Sequence, residues 1–352
     1  MQPDKNFWHK KKVLLTGNTG FKGSWLGLWL KKLEANVLGL SADIPTKPSL
    51  YNILSEHEDY DTIFDDINNY TSLKTTIETF HPEIIFHLAA QPLVIKSYAD
   101  PIHTFQTNVM GLANLLAICS KIRKLRCIVI VTSDKCYDPS LENIIYKETA
   151  PFGGNDPYSC SKACAELVTN SFRKSFYSNT DIGLATVRAG NIFGGGDWAK
   201  NRIVPDTLKS IANSKPLTLR FPEAIRPWQH VLDPLNGYIK LAEKLFFDKD
   251  NYEGGWNFGP ENAGAITVRD LVHLLFNAYG RTVDIINDKN ENILETKTLK
   301  LCTDKSKTYL KWEQKWEIKD GISKTAEWHK RWLAGEDMTT YCLKQIEAHE
   351  KA

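Results

Sequence analysis

The feature that most constrains this chain is an apolar run at residues 13–16 that ends in Gly17-Asn18-Thr19-Gly20-Phe21-Lys22-Gly23 and passes directly into a helical pattern over 24–33. Further apolar runs at 37–40, 84–88, 128–132 and 182–188 alternate with helical patterns at 71–80, about 101–119 and 158–171. Strands that are apolar throughout, separated by helices, belong to a parallel sheet covered on both faces. The expectation is an α/β fold: a Rossmann-type doubly wound parallel sheet. After residue 190 the texture changes, with Gly, Pro and aromatic residues crowding 194–198 and 221–228. A dinucleotide-binding domain over 1–190 and a smaller C-terminal substrate-binding lobe over 191–352 are therefore predicted, with segments near 231–233 or 256–258 returning to the first part. A chain of 352 residues is long enough for such a body.

Composition removes several classes of function. Lys+Arg 44 against Asp+Glu 42 leaves a charge of +2, so nothing argues for a nucleic-acid partner. No apolar run approaches the roughly eighteen residues that a membrane span needs. The first twelve residues are polar and lack a signal-peptide pattern. Seven cysteines without a CxxC ladder indicate neither a disulfide framework nor a metal site. A reduced, cytoplasmic setting is the expectation.

The glycine loop has GxxGxxG spacing between strand and helix. Gly17, Gly20 and Gly23 permit a tight turn, and the N–H groups around Thr19, Gly20 and Phe21 can approach a pyrophosphate at the helix N-terminus. A plain strand–helix turn would show the same glycines, so context decides. Asp43 follows the second apolar run, twenty residues after Gly23, where a carboxylate can bind a ribose hydroxyl. An acid there without a neighbouring arginine favours NAD over NADP. Asp66-Ile67 is the rival ribose or adenine contact, and spacing does not choose between them. Leu88, Ala89 and Ala90, at the end of the third apolar run, are small enough for a cofactor to lie against, or simply a tightly packed strand end.

Tyr158 and Lys162 lie four apart on a predicted helix and share a face. A tyrosine is a poor base at neutral pH, and an adjacent ammonium lowers its pKa. Such a pair takes a proton from an alcohol while a nicotinamide takes the hydride. A surface helix pair has the same spacing, but following a nucleotide loop on one sheet makes it specific. Thr132-Ser133-Asp134-Lys135 ends the fourth long run on the same edge; a hydroxyl there, with Thr132 as the catalytic candidate, can share a hydrogen bond with the substrate alcohol and Tyr158. Asp134-Lys135 is either an exposed turn or an acid–base pair for a reaction with further proton transfers.

These residues resemble the extended short-chain dehydrogenase/reductases and, within them, the CDP-glucose 4,6-dehydratases. The resemblance runs from Asn6-Phe7-Trp8 to about Leu343. It is carried by Thr19 to Leu26, His87-Leu88-Ala89-Ala90-Gln91-Pro92, Thr132 to Tyr137, and Asp156-Pro157-Tyr158-Ser159 with Ser161-Lys162. Arg188-Ala189-Gly190-Asn191, Gly194-Gly195-Gly196-Asp197-Trp198 and Arg226-Pro227-Trp228-Gln229-His230 continue it. Dehydratases of dTDP- and GDP-sugars typically carry Asp-Glu where this chain has Asp134-Lys135. Asn18 departs from a histidine frequent in the family.

The resemblance implies NAD as cofactor and the conversion of CDP-glucose to CDP-4-keto-6-deoxyglucose, a step of deoxysugar biosynthesis, by C4 oxidation, loss of water across C5–C6 and reduction at C6. Tyr158 and Lys162 would act at C4, and Lys162 would also contact the ribose. Asp134 would protonate the departing C6 hydroxyl. Lys135 would serve at C5, as base if burial beside a cation depresses its pKa, or by orienting a water or the enolate. Asn191, Arg202, Arg220, Arg226 and His230 are the expected substrate ligands, arginine suiting phosphates through its planar fork. Each arginine could equally be solvated surface. Trp198 and Trp228 line the pocket or merely pack. Trp312, Trp316, Trp328 and Trp332 fit C-terminal helix packing, and Lys10-Lys11-Lys12 a solvated run. Helices near 101–119 and 158–171 would form a homodimer contact. The alternatives are a dehydratase of another nucleotide sugar, a nucleotide-sugar 4-epimerase, which needs no Asp134-Lys135, and a catalytically silent dinucleotide sensor, which would not keep Tyr158 and Lys162.

Overall fold

Seven strands, all parallel to their neighbours, form the central sheet of the computed structural model, which describes residues 2–55, 61–141, 144–260, 265–287 and 299–352. The strands are β1 (Lys12–Thr16), β2 (Asn36–Ser41), β3 (Thr62–Phe64), β4 (Ile84–His87), β5 (Cys127–Val131), β6 (Gly183–Ala189) and, last in the chain, Gly254–Phe258. Their spatial order is Gly254–Phe258, β6, β5, β4, β1, β2, β3. The chain reverses direction of travel between β1 and β4, the switch point at which open α/β sheets bind ligands.

Alternation along the strands feeds two cores. Val13, Leu15, Phe86, Val129 and Val187 pack with Trp25, Trp29, Tyr238 and Trp328 on one face. Leu14, Ile85, Ile128, Ile130 and Leu184 pack with Leu73, Leu115, Leu116 and Tyr177 on the other. The helices Phe21–Lys32 and Leu232–Phe247 cover the first face; Tyr70–Phe80, Leu112–Cys119 and Pro157–Phe172 cover the second. The long helix expected at 101–119 is three pieces, with a widened π-turn at Gln106–Gly111. Among the described residues no helix is long and apolar enough to cross a membrane.

Beyond residue 190 the chain divides its packing. Leu232–Phe247 and Gly254–Phe258 belong to the sheet and its first core. The helices Ile203–Asn213 and Val268–Tyr279 and the strand Leu217–Leu219 build a separate cluster that includes Trp228, Ile322 and Ala326. Trp312, Trp316 and Trp328 are core residues, but only Trp328 is on a helix, Trp312 and Trp316 lying in the segment between the helices Asp304–Leu310 and Ile318–Leu333.

One buried ion pair ties the second-face helix Pro157–Phe172 to the sheet. Glu166 Oε1 accepts from Arg188 Nε at 2.7 Å and Oε2 from Arg188 Nη2 at 2.8 Å, both side chains being only 3% exposed. The hydroxyls of Thr132 and Thr186 donate to the same carboxylate at 2.6 and 2.7 Å. Burial alone would raise the Glu166 pKa, but Arg188 and the two hydroxyls hold it below the usual range. Arg188 also donates to Tyr137 Oη at 2.8 Å and to the Glu148 carbonyl at 3.0 Å. Saturated hydrogen bonding makes such a pair tolerable in a core, and removing one member leaves the other charge stranded. Glu166→Ala should therefore cost about 3–5 kcal/mol of unfolding free energy in denaturant titration; a change below about 1 kcal/mol would contradict this reading.

His87, at the end of β4, is buried with Nδ1 2.8 Å from Thr16 Oγ1. Burial, aided by the charge of Lys162, pushes its pKa down to about 3. The unfolded chain titrates near ~6.5, so it binds the proton first as pH falls. The stability contributed by neutral His87 is complete above about pH 6.5 and is lost progressively towards pH 3. Between pH 7 and 5 the wild type should lose about 2 kcal/mol more than a His87→Gln variant; identical losses in the two would remove His87 from the account.

Candidate functional site

The C-terminal ends of the parallel strands deliver the predicted residues to one edge of the sheet. After β1 the chain turns at Gly17, whose φ of +72° suits glycine. A Cβ at Gly17 would lie 2.7 Å from the Ala89 nitrogen, and one at Gly23 would lie 2.1 Å from the Gly17 oxygen. Both glycines are thus required by close backbone approach. Gly20 precedes the helix Phe21–Lys32 without a side-chain cap, so the first N–H groups of that helix are left for a ligand. The loop is held open from behind. Asn18 Nδ2 donates to Thr62 Oγ1 at 2.8 Å, Ser41 Oγ donates to Asn18 Oδ1 at 2.8 Å, and Thr19 Oγ1 donates to the Asp43 carbonyl at 2.6 Å. This cradle, walled by Leu88-Ala89-Ala90 after β4, fits a dinucleotide pyrophosphate.

The two ribose candidates differ in freedom. Asp43 is exposed at the end of β2, beside the loop. Asp66 is exposed too, but its Oδ1 accepts from the N–H and Nδ2 of Asn68, both at 2.9 Å. Ile67 turns its side chain into the second core.

A cleft of about 1000 Å³ opens beside this cradle and takes in Phe21, Thr132, Asp134, Lys135, Tyr158, Asn191, Arg202, Arg220 and Arg226. The N-terminus of the helix Pro157–Phe172, capped by Asp156 with Pro157 in its first turn, places Tyr158 at the cleft. Asn108 in the widened turn donates to Ser161 Oγ at 2.9 Å and accepts from the Gln91 N–H at 2.8 Å, which locks this helix to the loop after β4.

Three placements differ from the sequence expectation. The hydroxyl of Thr132 donates to Glu166, and Ser133 is the residue that hydrogen-bonds Tyr158. One residue of strand alternation separates the two, and strand ends do not announce which side chain faces the ligand. His230 lies outside the cleft, buried against Trp316 at 4.8 Å between ring centroids, with Nδ1 accepting from the Leu232 N–H. The Tyr158 pKa is also not lowered. Burial pushes it up to about 12 against the Ser133 hydrogen bond, while Lys162 Nζ donates to the Val131 carbonyl at 3.3 Å and lies 6.0 Å from the tyrosine ring centre. Burial likewise lowers Lys162, to about 8.

Asp134 is 4% exposed, and burial raises its pKa against the pull of Lys135, Ser133, Arg226 and Lys22. Its Oδ1 accepts from Ser133 Oγ at 3.1 Å, while Oδ2 has no partner among the described residues. The arrangement is a buried carboxyl group, raised towards its protonated form, in the same cleft as a tyrosine. Lys22 is a functional candidate that motif reading passed over as a loop residue. It lines the cleft, and burial with Lys162 and Arg202 nearby pushes its pKa down to about 7 despite Asp134. Arg202 pairs with Asp197 at 3.2 Å, Arg220 donates to the Asn201 carbonyl at 3.3 Å, and Arg226 is buried with Nη1 on the Ile225 carbonyl at 2.8 Å. Trp228 borders the cleft, whereas Trp198 packs on Trp328 and Trp332.

Known proteins share this architecture. The UDP-glucose 4-epimerase of Thermotoga maritima, solved with UDP-glucose, superposes with a TM-score of 0.79 at 20% identity over 92% of this chain and 99% of that one. The dTDP-glucose 4,6-dehydratase of Bacillus anthracis, solved with NAD, gives 0.76 at 22% identity over 91% and 97%. In sequence, the CDP-glucose 4,6-dehydratase of Salmonella typhimurium is 44% identical over 354 residues, covering 99% of both chains. Residues 14–325 match the sequence model of the family described as GDP-mannose 4,6 dehydratase. The chain belongs to that GDP-mannose 4,6 dehydratase family.

Proposed function

We propose that this protein is an NAD-dependent CDP-glucose 4,6-dehydratase. The observation that carries the reading is Asp134, a buried carboxyl group whose pKa burial raises and whose Oδ2 has no partner among the described residues, in the same cleft as Tyr158. An epimerase that only oxidises and re-reduces C4 has no use for such an acid. The dehydratase must protonate a departing C6 hydroxyl, and the 44% identical relative bears the name of that enzyme.

In this reading Tyr158 acts as its phenolate and takes the C4 hydroxyl proton, with Ser133 sharing the hydrogen bond and Lys162 close behind it. NAD, held by the glycine cradle, would supply the hydride acceptor for C4 and the hydride donor for C6. The 4-ketone acidifies the C5 proton, which Lys135 receives while Asp134 gives its proton to the leaving hydroxyl, and Lys135 returns a proton to C5 as C6 is reduced. A second reading puts the C5 proton on Lys22, favoured by the amine that its surroundings push down to about 7. Gly17, Gly20 and Gly23 seat the pyrophosphate, Asp43 holds the ribose, and Asn191, Arg202, Arg220 and Arg226 receive the nucleoside diphosphate. Residues 1–190 form the cofactor-binding part and 191–352 the substrate lobe, with Leu232–Phe247 and Gly254–Phe258 returned to the sheet. The active species is a cytoplasmic homodimer. Seven cysteines free of disulfides support the compartment. Exposed Ile102, Met110 and Leu167 on the helical segments expected to pair support the dimer.

Incubation with CDP-glucose and NAD should give a product lighter by one water, with no net reduced cofactor. An unchanged mass with inversion at C4 would make the protein an epimerase. In deuterium oxide, Lys135→Ala should cut dehydration at least about 100-fold and abolish label uptake at C5 while NAD binding persists. Label uptake that survives in Lys135→Ala and disappears in Lys22→Met would move the C5 proton to Lys22.

A further inference from the structure

We infer that Asp206 selects the base of the nucleotide sugar, its carboxylate accepting a hydrogen bond from the exocyclic amine of cytosine and opposing a base that presents a carbonyl oxygen there. This rests on the nucleotide-sugar reading above. Among the described residues four acids line the cleft: Asp134, Asp156, Asp197 and Asp206. A carboxylate in a cleft meant for a diphosphate works against binding, so each needs a reason. Asp134 accepts from Ser133 Oγ at 3.1 Å at the reacting end, and burial raises its pKa. Asp156 caps the helix Pro157–Phe172 through the Ser159 N–H at 2.9 Å. Asp197 accepts from the Ala199 N–H at 3.0 Å and pairs with Arg202. Asp206 makes no ion pair among the described residues; its one assigned partner is the Asn201 backbone.

The charges also order the cleft. Asp134 acts on both Tyr158 and Lys22 at the reacting end, and so does Arg202. Arg202 is paired with Asp197, and Asp197 together with Arg220 acts on Asp206. The sequence from Tyr158 through Arg202 to Arg220 and Asp206 matches sugar, diphosphate and nucleoside laid end to end. Asp206 sits in the first turn of the helix Ile203–Asn213, and Leu219, Phe221 and Val268 provide apolar wall around that end. Partial burial outweighs Arg220 and Lys209 and holds its pKa above the usual range, the condition of a carboxylate short of hydrogen-bond donors.

Cytosine places an amine donor where uracil and thymine place a carbonyl acceptor, and aspartate is a matched acceptor for that amine. A site that leaves a polar group unpaired against the wrong ligand discriminates strongly. Acid in a first helical turn also favours the helix dipole, and the test separates that purely structural role. Binding of CDP and UDP is measured by calorimetry on wild type, Asp206→Asn and Asp206→Ala, beside NAD affinity and Tm. The wild type should prefer CDP at least about tenfold, and both variants should bring the ratio close to one, with NAD affinity unchanged. A lowered Tm with the CDP preference intact would overturn the assignment of Asp206. In the parallel activity assay, the CDP-glucose to UDP-glucose ratio of kcat/KM should fall through KM. Turnover of CDP-glucose with an unshifted ratio in the variants would sink the role of Asp206 alone. No turnover of CDP-glucose by the wild type would sink the dehydratase reading, and this inference with it.

Discussion

The site depends on the bidentate contact between Glu166 and Arg188. Glu166 lies four residues beyond Lys162 on the helix that begins at Tyr158, and Arg188 lies near the end of β6. Two charges without solvent are stable only when every oxygen and N–H finds a partner in fixed directions. That demand pins the helix to the sheet in both rotation and height. It also consumes the Thr132 hydroxyl, which leaves Ser133, the next residue and the opposite face, to meet Tyr158. A buried structural pair thereby decides which hydroxyl reaches the chemistry.

Parallel topology supplies the rest. All strand C-termini lie on one edge, so the glycine turn after β1, the alanines after β4, the Ser133-Asp134-Lys135 turn after β5 and Asn191 after β6 converge without long loops. Low dielectric then sets protonation. Burial raises Asp134 and Tyr158 and lowers Lys22 and Lys162, so in each of the four it disfavours the charged form. Paired groups driven in opposite directions are the arrangement proton transfer requires.

Much of this was legible in the sequence because burial on two faces leaves strands apolar throughout, and because glycine positions are forced by backbone approach. β3 escaped notice: it is three residues long, with Phe64 53% exposed, so it has no apolar signature. The helix Leu232–Phe247 was hidden in the aromatic-rich second half although it covers the sheet. In the site, motif spacing found Tyr158, Lys162 and Asp134 but exchanged Ser133 for Thr132, since one step of strand alternation depends on packing. His230 shared a family-like segment with Arg226, yet its ring is consumed by Trp316 and Phe193. Lys22 stood within the glycine loop, where its charge carried no signal until Lys162, Arg202 and Asp134 were brought around it.

The central claim is that one cleft oxidises C4, eliminates water across C5–C6 and reduces C6 without releasing the sugar between steps. CDP-glucose carrying deuterium at C4 tests it most directly, read by NMR of the product. The account predicts a 4-keto-6-deoxy sugar with the deuterium at C6 and none lost to solvent or to free cofactor. Deuterium retained at C4 of an intact hexose, or a dehydrated product with no label at C6, would contradict it.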